Sequence, residues 1–314
     1  MKIAIWADME GASGLSDIRM CSPSLHDYYP EGQKLITGDI NAVIEGIRKI
    51  TNAEIDVWDG HGGGGNIPYD ELPENVEYVE RGGYRLFETA MTGEIVDMYD
   101  AIVMVGMHAM TGTRDGFYSH TNMSHLAIKI NGVFSGEIAQ TAWFFARGGI
   151  PSVLVAGDDA TAREAEAFLP GVETVVVKNS SSRADTTCLP LKKARQRIRI
   201  ATSSAIKNLS KFKVYSPPTP VVLEIMFSDE NMAYDARRRL PKMSYVDDYT
   251  VQYNCDEILE ALKMYQLAMQ LSAPTTLISR LRKLDGAEEV MRVWAEERYA
   301  KNLQTKPPFP VVKH

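Results

Sequence analysis

Short, almost wholly apolar runs alternate along the first half of the chain with longer stretches whose apolar residues return every three or four positions. Ile3 to Ala7 is the first run and predicts a buried strand. Between Glu31 and Ile50, the side chains of Ile36, Ile40, Val43, Ile47 and Ile50 fall at helical spacing and predict a helix with one apolar face. Ile55 to Trp58 predicts the next strand, ending at Asp59, and Ala101 to Met107 a strand covered on both faces. Leu126 to Phe134 carries Asn131-Gly132, the signature of a tight hairpin turn. Glu137 to Arg147 predicts a helix stopped by Gly148-Gly149. Pro151 to Ala156 predicts a further buried strand, and Gly157-Asp-Asp159 opens a helix to Leu169.

The second half is less regular. Glu173 to Lys178 predicts a strand and Leu191 to Leu209 a basic amphipathic helix. Pro217-Pro218-Thr-Pro220 is a stiff connector before strands at Val221 to Phe227 and Thr250 to Asn254, and a helix follows from Asp256 to Leu271. Beyond Ser272 the pattern predicts a charged helical stretch from Leu277 to Tyr299, broken at Asp285-Gly286, and an extended end at Lys306-Pro-Pro-Phe-Pro310. No repeat or low-complexity stretch interrupts the order. Alternating strands and helices predict an α/β fold, a layered sheet with helices on both faces plus a smaller α+β second lobe. The expected division is an α/β domain over 1–180, a second lobe over 181–271 and a C-terminal extension over 272–314.

Composition narrows the function. A chain of 314 residues, 45% hydrophobic, buries a large core. Its net charge of −7 disfavours nucleic acid as a partner. No apolar run approaches the ~20 residues that span a bilayer. Three scattered cysteines, Cys21, Cys188 and Cys255, fit neither a disulfide framework nor a zinc finger, so the expected setting is a reducing cytoplasm.

The candidate chemistry sits at the ends of the apolar runs. Asp8 and Glu10 close the first strand, His61 follows Asp59-Gly60, His108 ends the run at Met107, and Glu137 opens a helix after Gly136. Open α/β sheets gather their sites at such strand ends. Each residue has a plainer reading. Asp8 and Glu10 suit a helix cap and a solvated loop, His61 an exposed turn before Gly62-Gly-Gly-Gly65, and Glu137 the compensation of a helix dipole. Together the set is harder to explain that way. A carboxylate pair repels itself unless a cation lies between, and imidazole with carboxylate suits zinc, with manganese and cobalt as alternatives. Of the six histidines, His120 joins the cluster in the loop Tyr118-Ser-His120-Thr-Asn122. His125 reads as structural, and His26 and His314 as incidental.

Asp8-Met-Glu-Gly11 with Ser13-Gly14, Asp59-Gly-His61, Gly106-Met-His108-Ala109, Ser119-His120 and Asn131-Gly132 leading to Gly136-Glu137 follow one another in a recognisable order. With Val155-Ala-Gly-Asp-Asp159, Val177-Lys178 and Ser182-Arg183, the set resembles the zinc-dependent D-aminopeptidases encoded with bacterial dipeptide permeases, from residue 1 to about 271. The resemblance implies two zinc ions per chain, with Asp8 bridging, Glu10 and His108 completing one, and His61 with Glu137 the other. It assigns catalysis to His120, which attacks, carries a proton or polarises the scissile carbonyl. It implies a short-peptide substrate of D-Ala-D-Ala type and a ring-shaped homo-oligomer, a decamer. Two alternatives stay open as enzymes: an L- or β-aminopeptidase on the same scaffold, and a dinuclear phosphoesterase. The third is a non-catalytic binding module.

Overall fold

The computed structural model describes residues 1–123 and 125–272, with Gly286, Glu289, Arg292, Val293 and Glu296 beyond them. Apart from those five positions, the charged stretch from Leu277 to Tyr299 and the proline-rich end lie outside the described residues. In chain order come β1 (Lys2–Ala7), α1 (Tyr29–Arg48), β2 (Glu54–Asp59), β3 (Glu77–Val79), α2 (Gly82–Thr92) and β4 (Ala101–Met107). They are followed by β5 (Leu126–Ile130), β6 (Val133–Ser135), α3 (Glu137–Ala146), β7 (Ser152–Asp158), α4 (Asp159–Phe168), β8 (Glu173–Ser180) and β9 (Thr186–Cys188). The last group is α5 (Leu191–Lys207), β10 (Val221–Phe227), α6 (Glu230–Arg239), β11 (Ser244–Tyr245), β12 (Thr250–Cys255) and α7 (Ile258–Ser272).

Seven strands form one sheet in the order β3-β2-β1-β4-β7-β8-β9, parallel except for the β8–β9 pair. All residues of β4 and β7 are buried, as a strand needs when helices cover both faces. One face carries Ile3, Ile5, Val103 and Val105 against Ile36 and Ile40 of α1 and Ile198 of α5. The opposite face packs Trp6, Trp58 and Met104 against Phe145 of α3, and this core runs on into the second sheet. That sheet is antiparallel, ordered β11-β12-β10-β5-β6. In β10 buried and half-buried residues alternate, which marks one face on the core and one toward solvent.

The expected boundary at residue 180 does not coincide with a sheet boundary. The second sheet takes β5 and β6 from residues 126–135, while β9 and α5 pack with the first. The hairpin at Asn131-Gly132 holds both residues at positive φ, 51° and 79°, as a type I′ turn requires. Two helices went unread in the sequence. α6 buries only Ala233 and Ala236 and so has no apolar stripe to betray it, although Asp229 caps its first turn through the Asn231 N–H. α2 begins at paired glycines, Gly82-Gly83, which signal a turn rather than a helix.

Candidate metal centre

From β1 the sheet grows through β2 to β3 on one side and through β4 to β7 on the other. Open α/β sheets bind ligands where strand order reverses, which here is beyond the carboxyl ends of β1 and β4. Asp8 and Glu10 follow the first of these strands and His108 the second. The pairing continues past the strand ends, with Asp8 N–H donating to Val105 O at 2.9 Å and Gly11 N–H to Gly106 O at 2.8 Å. Such contact tolerates no Cβ. One built on Gly106, which has φ +74°, would meet Asp8 O at 2.0 Å, and one on Gly11 would meet Met107 O at 1.8 Å.

His61 is held by its neighbours rather than left on a loose turn. The Asp59 carboxylate accepts from the Asn66 N–H and side-chain amide and from the Tyr78 hydroxyl, and Asn66 Nδ2 donates to His61 O. The glycine run 62–65 thus closes into an ordered loop. His120 lies on a loop with two left-handed non-glycine residues, Tyr118 at φ 46° and Asn122 at φ 53°. Glu137 stands first in α3, but its carboxylate turns back to accept the Asn122 N–H at 2.6 Å.

All six residues expected at the site converge. Three imidazoles each donate one ring N–H to a backbone carbonyl: His61 Nε2 to Cys21 O, His108 Nδ1 to Ala109 O and His120 Nδ1 to Tyr118 O, at 2.9, 3.0 and 2.8 Å. A carbonyl can only accept, so each bond fixes the tautomer and leaves the other ring nitrogen facing the carboxylates. His61 Nδ1 lies 3.0 Å from Asp8 Oδ1 and 3.1 Å from Glu10 Oε2. His108 Nε2 lies 3.4 Å from Asp8 Oδ2 and 3.3 Å from Glu137 Oε1. His120 Nε2 is 4.0 Å from a carboxylate oxygen of both Glu10 and Glu137, and its ring stacks on that of His108 at 4.1 Å. Asp8 and Glu10 are 3% and 2% exposed, which removes the readings as a cap or a solvated loop residue.

Burial and mutual charge set the ionisation. Burial, together with the Glu10 charge, pushes Asp8 up to about 7. Burial also acts on Glu10, but the imidazoles led by His61 outweigh it and hold that carboxyl well below the usual range. Glu137 is likewise lowered, because His108 and His120 overcome its burial. Burial depresses His61 and His108, yet the carboxylates win and raise both rings well above their ordinary value. Burial and the adjacent His108 push His120 down to about 4.

These residues fit a cation. Glu10 Oε2 and His108 Nε2 are buried and have no hydrogen-bond partner, even though Glu10 Oε2 is close to His61 Nδ1. Donor atoms of Asp8, Glu10 and His108 lie within 4.8 Å of one another, and so do those of His108, His120 and Glu137. The charged imidazoles occupy the role that a divalent ion would take once the rings lose their protons.

The family model for D-aminopeptidases, peptidase family M55, matches residues 1–267. This chain belongs to the D-aminopeptidase family. It is 30% identical over 279 residues to a D-aminopeptidase of Bacillus subtilis (strain 168), covering 87% of this chain and 99% of that one. Among solved structures it is similar to the Zn-dependent D-aminopeptidase DppA from Bacillus subtilis, described as a self-compartmentalizing protease. That likeness has a TM-score of 0.80 and 28% identity over 87% of this chain and 98% of the other. Within this member of the family, several supporting residues escaped the sequence reading. Tyr265, fully buried on α7, donates its hydroxyl to Asn122 Oδ1 at 2.7 Å and so links the second sheet's helices to the His120 loop. Glu164 of α4 accepts the Met110 N–H beside His108. A tyrosine in an apolar helix and a glutamate in a charged one carry no pattern that separates them from ordinary core and surface positions.

Proposed function

We propose that this chain is a dinuclear zinc aminopeptidase that removes the N-terminal residue of short peptides, with a D-amino acid in first place. The observation that carries this reading is the set of three imidazoles, each tied to a carbonyl and each turned toward two of the three carboxylates of Asp8, Glu10 and Glu137. Its membership of the D-aminopeptidase family, and its similarity to a relative named as zinc-dependent, support zinc as the metal and a D-residue as the substrate. Asp8 lies between the two halves. The grouping of donor atoms of Asp8, Glu10 and His108 supports the pairing of Glu10 with His108 that the resemblance implies, while Glu10 also lies close to His61 and Glu137 to His108. Zinc bound there supplies a Lewis acid and lowers the pKa of water toward ~7.

The protein's own contribution centres on His120. With its proton on Nδ1 and its pKa low, the ring presents an unprotonated Nε2 to the site at neutral pH. That nitrogen takes a proton from the attacking group and returns it to the departing amine, or attacks directly. Polarising the carbonyl would first require its protonation. Among the described residues, ion pairs to Asp8, Glu10 and Glu137 come only from imidazoles, with no Arg or Lys at the carboxylates to grip a phosphate. This favours peptides over phosphate esters. It also suits a substrate ammonium, so an unblocked N-terminus is expected. The relative's self-compartmentalizing description supports a homo-oligomer here, and a decameric ring is the form we propose.

The test pairs free-amine with N-acetylated dipeptides of D and L configuration, with and without chelator. Chelator-sensitive cleavage of D-first, unblocked dipeptides is expected, and His120→Ala should lower kcat by about 10²–10⁴-fold at unchanged zinc content. Near-normal kcat in that variant would end the catalytic role of His120.

A further inference from the structure

Lys178, on β8, is a fully buried lysine for which, among the described residues, no ion pair with a carboxylate is present. Burying an ammonium costs several kcal/mol unless its donors are satisfied. All three donors of Nζ are used: it donates to the backbone carbonyls of Glu10, Ala12 (3.3 Å) and Leu15 (2.7 Å). All three carbonyls lie on the one loop that carries Glu10 out of β1. The same loop is pinned elsewhere by Gly11 N–H on Gly106 O and Ser13 N–H on the buried Asp39 carboxylate. The ammonium also sits 4.6 Å from the centre of the Phe117 ring. Phe117 is fixed through its N–H on Asp158 and immediately precedes Tyr118, whose carbonyl holds the His120 ring.

We propose that Lys178 is a positioning residue for the site: through three carbonyls and one aromatic face it sets both the Glu10 carboxylate and the loop that carries His120. This rests on the metal-site reading above. No other described side chain bonds to three carbonyls of the Glu10 loop and also contacts the His120 loop. A neutral side chain of similar size would fill the space but take the Nζ donor from the carbonyls of Glu10 and Leu15 and leave Ala12 O only the Leu15 N–H, so the loop would be free to re-form around other partners. The Glu10 carboxylate would then lose its fixed direction. Groups that orient metal ligands typically matter at the level of 10–100-fold in affinity or activity.

The experiment compares the full-length chain with Lys178→Met and Phe117→Leu. Zinc affinity is read by chelator competition, folding by thermal unfolding, and kcat on a free-amine dipeptide. Lys178→Met should weaken zinc binding by about 10–100-fold and lower kcat. Phe117→Leu, which keeps the carbonyl bonds but removes the aromatic seat, should keep zinc affinity and lower kcat by on the order of 10-fold. A folded Lys178→Met with lower melting temperature but wild-type zinc affinity and kcat would show a purely structural lysine and overturn the inference. If Lys178→Met does not fold, the Phe117→Leu arm decides, and unchanged kcat there overturns it. Absence of zinc from the wild-type chain would instead remove the metal-site reading, and the inference with it.

Discussion

Glu164 is fully buried, with Oε2 on the Met110 N–H at 2.6 Å and Oε1 without a hydrogen-bond partner. Burial pushes its pKa from 4.5 up to about 8. A raised carboxyl pKa means that the folded chain holds the proton more tightly than the unfolded one. Unfolding therefore releases a proton between those two values, and stability falls as pH rises through that window. Glu164→Gln is expected to flatten this slope by on the order of a few kcal/mol, measured by chemical denaturation near pH 5 and pH 8. A variant with the wild-type slope would rule out a protonated Glu164 in the folded chain. At this scale the sequence was legible where chemistry coincides with a strand end: Asp8, Glu10, His61 and His108 announce themselves by following apolar runs. Glu164, Lys178 and Tyr265 act through neighbours more than 50 residues away in sequence, and no local pattern encodes such contacts.

The element that makes the centre possible is the β1–β4 pair, carried beyond its last ladder residues by two glycines. Gly106→Ala would place a Cβ 2.0 Å from Asp8 O at a positive φ, so the strand ends must separate. We expect a loss of about 1–3 kcal/mol or more in stability together with weakened zinc binding. Gly132→Ala is the control, because Gly132 has a similar φ of +79° and nothing within 4 Å of an added Cβ. It should cost about 1 kcal/mol and leave zinc affinity alone. Equal zinc affinity in Gly106→Ala and wild type would contradict the close-approach argument. Elements with strong periodicity were legible, α1 to within two residues at each end. α6 and the short strands β3, β9 and β11 were not, since they bury too few side chains for a period to show, and α2 was hidden by the paired glycines at its start.

At the scale of the whole molecule, both sheets and every site residue lie within residues 1–267, the span matched by the family model. No described helix is long and apolar enough to cross a membrane. We treat residues 272–314 as an extension on a complete fold. A chain ending at residue 272 should keep its melting temperature within a few degrees and bind zinc as the full chain does, checked by calorimetry and metal analysis. Loss of folding would place part of the core in the extension. Its effect on assembly is read from the mass of the two chains in solution. The layered α/β class was legible because a parallel sheet writes itself as unbroken apolar runs. The make-up of the second sheet was not, because β5 leaves the first sheet's stretch of chain to pair with β10 and brings β6 with it, a non-local choice. The most direct test of the account is zinc content per folded chain, by elemental analysis and native mass spectrometry, with D-dipeptide cleavage followed across the same titration. Two zinc ions per chain, with cleavage lost on chelation and restored on zinc addition, is the result expected. A chain that cleaves D-dipeptides without bound metal, or binds zinc and cleaves nothing, would contradict it.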